Sequence, residues 1–497
     1  MLILITCTLV TTLYATTITI ANVSLPQIQG ALSASPDQVA WIVTANLIAT
    51  AVTIPLAGWF SNRFGRRRCM IWGTVGFGVA TLMCGLSTSL TELIIWRVVQ
   101  SAFGSPLTPI SQSIVIDEFT GEKRGMATAI YSMGVGVAPT LAPLVGGYVS
   151  EEISWRWVFF ILLPLAVVAL IGVLAFIKPD PPRRERAKLD WTGFLSLAIA
   201  VACVQLMLDR GEREDWFDSM EIIIELCGAI VFGWIFLVHS LTSERPFIDP
   251  RLLLERNFVL GIGIATVFGM LFVTPMVLIP AMIQQLRDVP EFTSGLLIAS
   301  RSLGTMLAQI LMIAFAHRWD PRPLFLIGFG THTIAGLAMI ELDMNAPLPD
   351  LTWMMIMQGF GVGCLWVPMT LVTFSNFDPR RSAEGMALFH FVRSIGSSYY
   401  ISASFIVVFH TQKISYSELV QWINPFSERW RMADLPEAWN IDTTTGLANV
   451  AGEVARQATA VGYINSFNLF LWTTLLAYPL IALIVWPPRG YRERNKR

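Results

Sequence analysis

Charged side chains are scarce in this sequence: Asp, Glu, Lys and Arg make up 14% of its 497 residues, against about 25% in ordinary soluble domains. That shortage excludes a conventional soluble enzyme. Neither sign is in excess, since 34 Lys plus Arg face 35 Asp plus Glu and leave a net charge of −1. There is no basic field to draw in nucleic acid. The six cysteines (Cys7, Cys69, Cys84, Cys203, Cys227, Cys364) lie inside apolar stretches, with no Cys-x-x-Cys pair and no histidine at ligand spacing. Neither a disulfide framework nor a metal centre is expected, and no cofactor. The apolar stretches also lack any acidic or histidine cluster of catalytic spacing, which argues against an enzyme built into the membrane. Finally, no Asp or Glu falls near the middle of a long apolar run; Asp209 and Glu225 come nearest.

What fills the chain is hydrophobic residue, 54% of it, in runs of about 20 residues that are long enough to cross a bilayer. Fourteen spans are predicted, at 2–24, 38–60, 69–88, 91–116, 126–149, 155–177, 191–208, 221–241, 257–280, 294–316, 323–341, 352–374, 385–408 and 464–486. The first lacks the basic leader and small-residue cleavage site of a signal peptide, so it reads as a retained span. Lys and Arg alternate from loop to loop: one side collects 23 of them, the other eight, and three (Arg97, Arg301, Arg393) stay inside spans. Short cytoplasmic loops hold the basic residues, which puts both termini in the cytoplasm.

Two linkers, the Pro-rich and basic 178–190 and the mixed-charge 242–257, bracket a hairpin of two spans. The expected organisation is a six-helix bundle over 1–177, linkers and inserted hairpin over 178–256, a second six-helix bundle over 257–486, and a basic cytoplasmic tail over 487–497. Six, two and six suggests two pseudo-repeats separated by an insertion. One long exterior segment, 410–463, polar and partly helical in pattern, carries Trp422, Trp430 and Trp439.

The turn after the second span reads Gly58-Trp-Phe-Ser-Asn-Arg-Phe-Gly-Arg-Arg-Arg68. A positive-inside loop explains its arginines but not the spacing of Gly58 and Gly65, which allows helices and a tight turn to approach closely. Here the chain resembles the major facilitator superfamily, whose signature at this loop is Gly-x-x-x-Asp-x-x-Gly-Arg-[Arg/Lys]. Gly58, Gly65, Arg66 and Arg67 match, while Asn62 stands where the family's Asp is usual. The resemblance implies that this loop latches the two halves together in one conformation, and losing the carboxylate weakens that latch.

Span four carries Arg97-Val-Val-Gln100, similar to the family's Arg-x-x-Gln-Gly element with Ser101 in place of Gly. An arginine inside a span costs at least about 2.5–3.5 kcal/mol on insertion scales, so a functional role outweighs snorkelling. Span five holds Gly134, Pro139, Pro143, Gly146 and Gly147 in an order that resembles the antiporter motif of exporters. A merely kinked helix accounts for either proline but poorly for the ordered set. Trp155-Arg-Trp-Val-Phe-Phe-Ile161, Met207-Leu-Asp-Arg-Gly211, Ala21-Asn-Val-Ser-Leu-Pro26 and Asn424-Pro-Phe426 extend the resemblance to the fourteen-span drug/proton antiporter branch, in order along the chain. Against that branch, the intramembrane Asp of span one is replaced by Thr17, which carries no titratable proton.

The other polar residues in spans are Asn22, Asn46, Gln112, Arg301, Gln309, His332, Gln358, His390 and Arg393. For a lone His, Asn or Gln an interhelical hydrogen bond worth about 0.6 kcal/mol is the commoner explanation; the arginines need a partner or a cavity. Without the two histidines, and together with Thr17 and Arg97, they form the candidate substrate cavity. Asp209, with His390, His332 and Glu225, makes up the candidate proton-coupling set, although Asp209 equally fits a hydrated cap of span seven.

The resemblance implies an all-α secondary active exporter of amphipathic toxic compounds, exchanging them for protons across a bacterial inner membrane. It also implies a periplasmic adaptor of the membrane-fusion type docked on 410–463 and an outer-membrane channel beyond it. Two other readings stay open: a dedicated exporter of one metabolite class, such as a siderophore or fatty acid, and a non-transporting membrane receptor or enzyme.

Overall fold

The structure, a computed structural model, describes residues 1–119, 122–179, 189–244, 246–315, 320–375, 377, 381–423, 439–440 and 443–484. The described residues are helices and their connections, without a strand. Twelve helices are long and apolar enough to cross a membrane, and a bent pair makes a thirteenth. The remaining expected span, the fourth, is present as two helices too short to count singly: Leu90–Gly104 and Leu107–Glu118.

The N-terminal part contains α1 (Leu2–Val23), α2 (Pro36–Thr53), α3 (Leu56–Phe64), α4 (Arg66–Leu86), α5 (Leu90–Gly104), α6 (Leu107–Glu118), α7 (Glu122–Glu152) and α8 (Leu162–Phe176). The inserted hairpin is α9 (Trp191–Arg210) and α10 (Met220–Thr242). The C-terminal part contains α11 (Arg256–Arg287), α12 (Glu291–Phe315), α13 (Pro321–Ile340), α14 (Leu348–Thr373), α15 (Ser382–Val420) and α16 (Thr444–Leu476).

Local chemistry sets the ends of these helices. Ser35 and Gln38 form a reciprocal capping box at the start of α2, satisfying two backbone donors at once. Side chains of Ser89, Asp190, Asp320 and Thr443 cap α5, α9, α13 and α16. Proline, with no N–H to give, divides two of the spans. Pro55 separates α2 from α3 at a bend of 51°, and Ser105-Pro106 separates α5 from α6.

Inside α7 and α11 proline does not break the helix, and at Pro143 and Pro275 a neighbour supplies the missing donor. Pro143 leaves the carbonyl of Pro139 without its helical partner, and Thr19 Oγ1 on α1 donates to that oxygen at 2.8 Å. Pro275 likewise frees the carbonyl of Leu271, and Gln358 Nε2 on α14 donates to it at 2.9 Å. Re-satisfying freed backbone groups in this way is what makes proline tolerable in a transmembrane helix.

The two parts meet along α7 and α12, and again where α15 packs on α3 and α6. A small apolar cluster crosses the first seam: Ala129 of α7 sits with Ala308 and Met312 of α12 and with Cys364 and Val367 of α14. Within the hairpin, α9 lies against both α2 and α15, while α10 packs on α9. The outer helix shows Ile224, Ile230, Val231 and Trp234 on its surface, as a lipid-facing helix does.

In the polar segment 410–463, expected to be partly helical, helix α15 continues to Val420 and α16 already begins at Thr444, so its helices extend from the two neighbouring spans. No proline or glycine occurs between Phe409 and Val420 to stop α15. Trp422 is exposed. Trp430, the linker 180–188 and the tail 487–497 lie outside the described residues.

Candidate functional site

Three polar zones lie along the seam between the halves, one toward each face and one between them. On the side of the second-span turn, Gly65 has φ 88°, a left-handed conformation that favours glycine. This lets α4 begin directly after α3 and swings Arg66 under the seam. Arg66 Nη1 pairs with Asp117 at 2.7 Å, and Arg66 Nη2 donates to Ser382 Oγ at 3.2 Å. Ser382 Oγ in turn donates to Asp117 Oδ2 at 3.0 Å. Asp117 ends α6 and Ser382 starts α15, so one carboxylate ties the turn, span four and the opposite half.

Gly58 contributes by having no side chain. A Cβ there would stand 3.1 Å from Glu384 Cα, so α3 and α15 touch backbone to backbone. Arg67 points elsewhere, to the carbonyl of Leu174 at 2.8 Å. The latch therefore has a carboxylate despite Asn62, supplied by a residue that sequence reasoning passed over. Asp117 gave no signal because an acid near a span end is ordinary; only the fold brings it to Arg66.

The middle zone holds buried side chains. In the N-terminal half, Arg97 is 1% exposed. Its Nη1 donates to Gln100 Oε1 at 2.7 Å and lies 3.5 Å from the Thr17 carbonyl. Gln100 passes the chain on to Thr81 Oγ1 at 2.7 Å. Thr17 is buried and returns its hydroxyl to the carbonyl of Leu13 at 2.8 Å. Asn46 Nδ2 reaches Ser101 Oγ at 2.5 Å, and Tyr14 shares a 2.6 Å bond with Thr50. The side chain of Asn22 lies outside the described part.

In the C-terminal half, Arg301 is fully buried; its Nη2 donates to the Phe272 carbonyl at 2.7 Å and its guanidinium sits 4.6 Å from the Phe272 ring centre. Arg393 is half-buried over Trp366, 5.6 Å from the ring centre. His332 is bonded to the carbonyl of Gly328 at 2.8 Å and stacked on Phe470. Three bonds cross between halves here: His390 Nε2 to Gln112 Oε1 at 2.5 Å, Gln112 Nε2 to Thr370 Oγ1 at 3.5 Å, and Ser132 Oγ to Gln309 Oε1 at 2.8 Å.

The antiporter-motif glycines seat α7 on α1. A Cβ at Gly134 would meet Thr8 Cγ2 at 2.2 Å, and one at Gly146 would meet Ile20 Cγ1 at 2.7 Å. Gly147 is buried beside it. With the Thr19 bond to Pro139, this makes α7 a tightly held element between α1 and α12.

The third zone lies at the far end of α9. Asp209 Oδ2 accepts from Thr44 Oγ1 of α2 at 2.9 Å; Oδ1 accepts from Gln205 Nε2 at 2.9 Å and from Ser402 Oγ of α15 at 2.5 Å. Gln205 also accepts from Ser398 Oγ at 2.6 Å. A half-buried carboxylate thus holds donors from both halves through the inserted hairpin. Arg210 does not neutralise it, since that guanidinium is bound to Glu214 at 3.1 Å and to Glu221. Glu225, on α10, is buried and its Oε2 has no hydrogen-bond partner.

Twelve or thirteen apolar spans, packed in two parts that meet along a latched seam with a buried polar belt between its ends, are the architecture of a membrane transporter. The profile of the Major Facilitator Superfamily matches residues 7–400, and the chain belongs to that superfamily. It is 32% identical over 476 residues to the multidrug export protein EmrB of Escherichia coli (strain K12), covering 95% of this chain and 92% of that one. It is 29% identical over 472 residues to the fatty acid resistance protein FarB of Neisseria gonorrhoeae, covering 94% and 92%. In three dimensions it resembles the proton:xylose symporter XylE at a TM-score of 0.58, with 15% identity over 97% of this chain and 98% of that one. That likeness concerns the fold alone.

Proposed function

We propose that this protein is a secondary active multidrug exporter that moves amphipathic toxic compounds outward in exchange for protons across a bacterial inner membrane. The observation that carries this reading is the 32% identity to a multidrug export protein along 95% of the chain. The charge bias of the loops supports a reading with both termini in the cytoplasm, in which the Arg66 latch is at the inner face and Asp209 at the outer one. Asp209 is the proposed proton carrier. As an anion it accepts three hydrogen bonds from both halves. Protonated, it must turn one oxygen into a donor and give up part of that grip.

The long outward helices of 410–463 are the proposed seat of a membrane-fusion adaptor, leading to an outer-membrane channel. The test of function is accumulation of a panel of dyes and antibiotics in cells that lack or express the gene, repeated with the proton gradient collapsed. Lower accumulation of several unrelated compounds, abolished by collapse, is expected. A second reading, export of a single class, is favoured by the similarity to a fatty acid resistance protein; protection against one class alone decides for it.

A further inference from the structure

The three donors of Asp209 are all neutral, and they divide unevenly between its oxygens. Oδ1 accepts from Gln205 Nε2 at 2.9 Å and from Ser402 Oγ at 2.5 Å, whereas Oδ2 accepts from Thr44 Oγ1 alone, at 2.9 Å. The charged groups around the carboxylate are turned to one another. Arg210 pairs with Glu214 and Glu221, and Glu212 with Lys413 of α15 at 2.8 Å. In the turn after α9, Arg213, Asp215 and Asp218 are exposed. Glu225 is buried on α10, α15 carries Arg393 and His410 on either side of Ser402, and α2 has no charged residue from Gln38 to Thr53. None of these groups forms an ion pair with Asp209 among the described residues, so hydrogen bonds hold it as an anion.

Gln205 stands one helical turn before Asp209 and is 3% exposed. Its Oε1 accepts from Ser398 Oγ at 2.6 Å, and a turn earlier on α9 the carbonyl of Val201 accepts from the Tyr399 hydroxyl at 3.2 Å. These bonds set the register of α9 on α15 and orient the amide: with Oε1 taken by Ser398, the Nε2 end meets Asp209. The types of donor differ in what they tolerate, because an amide N–H can only donate while a hydroxyl can donate or accept. A proton on Oδ1 would press against the N–H of Gln205, which has no lone pair to offer. A proton on Oδ2 meets Thr44, whose hydroxyl can accept it and turn its own hydrogen to a carbonyl one turn back. Thr50 and Thr53 on the same helix already bond in that way, at 2.8 and 2.6 Å.

Resting on the reading of Asp209 as the proton carrier, we infer that Gln205, oriented by Ser398, is its positioning residue and directs the proton to Oδ2. The proton comes from water and adds to a lone pair of Oδ2; no covalent bond breaks, and Thr44 changes from donor to acceptor. Oδ1 keeps both of its donors in either state. The hold of the inserted hairpin on α15 is therefore independent of the proton, and the contact with α2 of the N-terminal half is the one that registers it.

The test uses the full chain in nanodiscs and infrared difference spectra taken across pH, in which the carboxyl band of Asp209 is the one that Asp209→Asn removes. A carboxyl C=O stretch falls in frequency with each hydrogen bond that its oxygen accepts, so Gln205→Met should raise the frequency and Thr44→Val should leave it in place. Gln205→Met should also move the pH at which the band is half-formed upward by about one unit, tenfold in proton affinity. Thr44→Val, which removes a partner of both forms, should move it less. Ser398→Ala leaves every partner of Asp209 in place, yet it should shift the band in the same direction as Gln205→Met, and Ser398→Thr should restore it; this pair decides if Gln205→Met fails to fold. A frequency moved by Thr44→Val but by neither Gln205→Met nor Ser398→Ala would overturn the inference, as would a spectrum that loses no band in Asp209→Asn at any pH. Efflux from proteoliposomes separates the two readings. The expected band shifts with full proton-driven efflux by Asp209→Asn support the inference and defeat the carrier; lost proton-driven efflux with a band that Gln205→Met and Ser398→Ala leave unmoved does the reverse.

Discussion

The hydroxyl of Thr19 donates to the carbonyl of Pro139, the one acceptor in α7 that Pro143 leaves without a helical donor. Thr19→Val should lower thermal stability in detergent by about 0.6 kcal/mol, and by no more than about 1.7 kcal/mol. Thr19→Ser should restore it. In a Pro143→Ala background the helix regains its own donor, so Thr19→Val should become nearly neutral. Additive losses in this double-mutant cycle would show that the two residues are not coupled.

Gly58 and Glu384 approach so closely that a Cβ on Gly58 would lie 3.6 Å from that of Glu384, within the range that a disulfide bridges. With the six native cysteines replaced, Gly58→Cys and Glu384→Cys should cross-link on mild oxidation and stop export, and reductant should restore it. Adding Arg66→Ala, which removes the pairing with Asp117, should lower the cross-linking yield by opening the latch. An unchanged yield would mean that the latch does not hold this seam.

Asp209→Asn keeps the acceptor facing Thr44 or Ser402 but cannot exchange a proton. In proteoliposomes it should lose efflux driven by a proton gradient, while downhill movement of substrate persists. Full proton-driven efflux by Asp209→Asn would remove this residue from the coupling role. Thr17→Asp offers the complementary measurement: it should raise the number of protons moved per substrate if the span-one position works here as it does in the resembled branch.

A pH dependence follows from Asp249, in the linker before α11. Burial raises its pKa, but the Arg381 hydrogen bond and the Arg251 amide outweigh this, so the carboxyl is held below its ordinary value. A lowered folded-state pKa stabilises at pH above the unfolded value and is lost as pH falls through the folded one. The stability difference between wild type and Asp249→Asn should therefore stay constant from about pH 8 to pH 5 and fade below about pH 4. A difference that changed between pH 6 and 8 would point to another group.

The orientation can be read by labelling intact cells with an impermeant maleimide. A single cysteine at Ser417 should react from outside, and one at Ser243 only after the cells are opened. Reaction of Ser243→Cys in intact cells would invert the map.

Much of the fold was legible in the sequence because span length and hydropathy are local properties. The caps Ser89, Asp190 and Asp320 and the breaks at Pro55 and Pro106 are visible in the same way. The partnerships that make the candidate site were not. Thr19 is one threonine in a threonine-rich run, and only the approach of α1 to α7 gives it a proline carbonyl to bind. Thr44 and Ser402 stand 165 and 193 residues from Asp209, and no spacing rule connects them. Gln358 looked like a cavity residue by polarity, yet its amide is held by a backbone oxygen that Pro275 freed. The helical pattern of 410–463 was legible, but not where α15 stops and α16 begins, since the hydropathy that marks a span says nothing about where its helix ends.

Helix α15 runs unbroken for 39 residues, which is about 58 Å of rod, nearly twice the thickness of a bilayer's hydrocarbon core. Its first turn is fastened at the latch through Ser382, so the rod turns as the latch turns. The protruding end acts as a pointer on a stiff shaft: small tilts inside the membrane become larger sweeps beyond it. Anything seated on that end is told which way the transporter faces, and release of cargo can be timed to a partner's opening with no signal other than leverage.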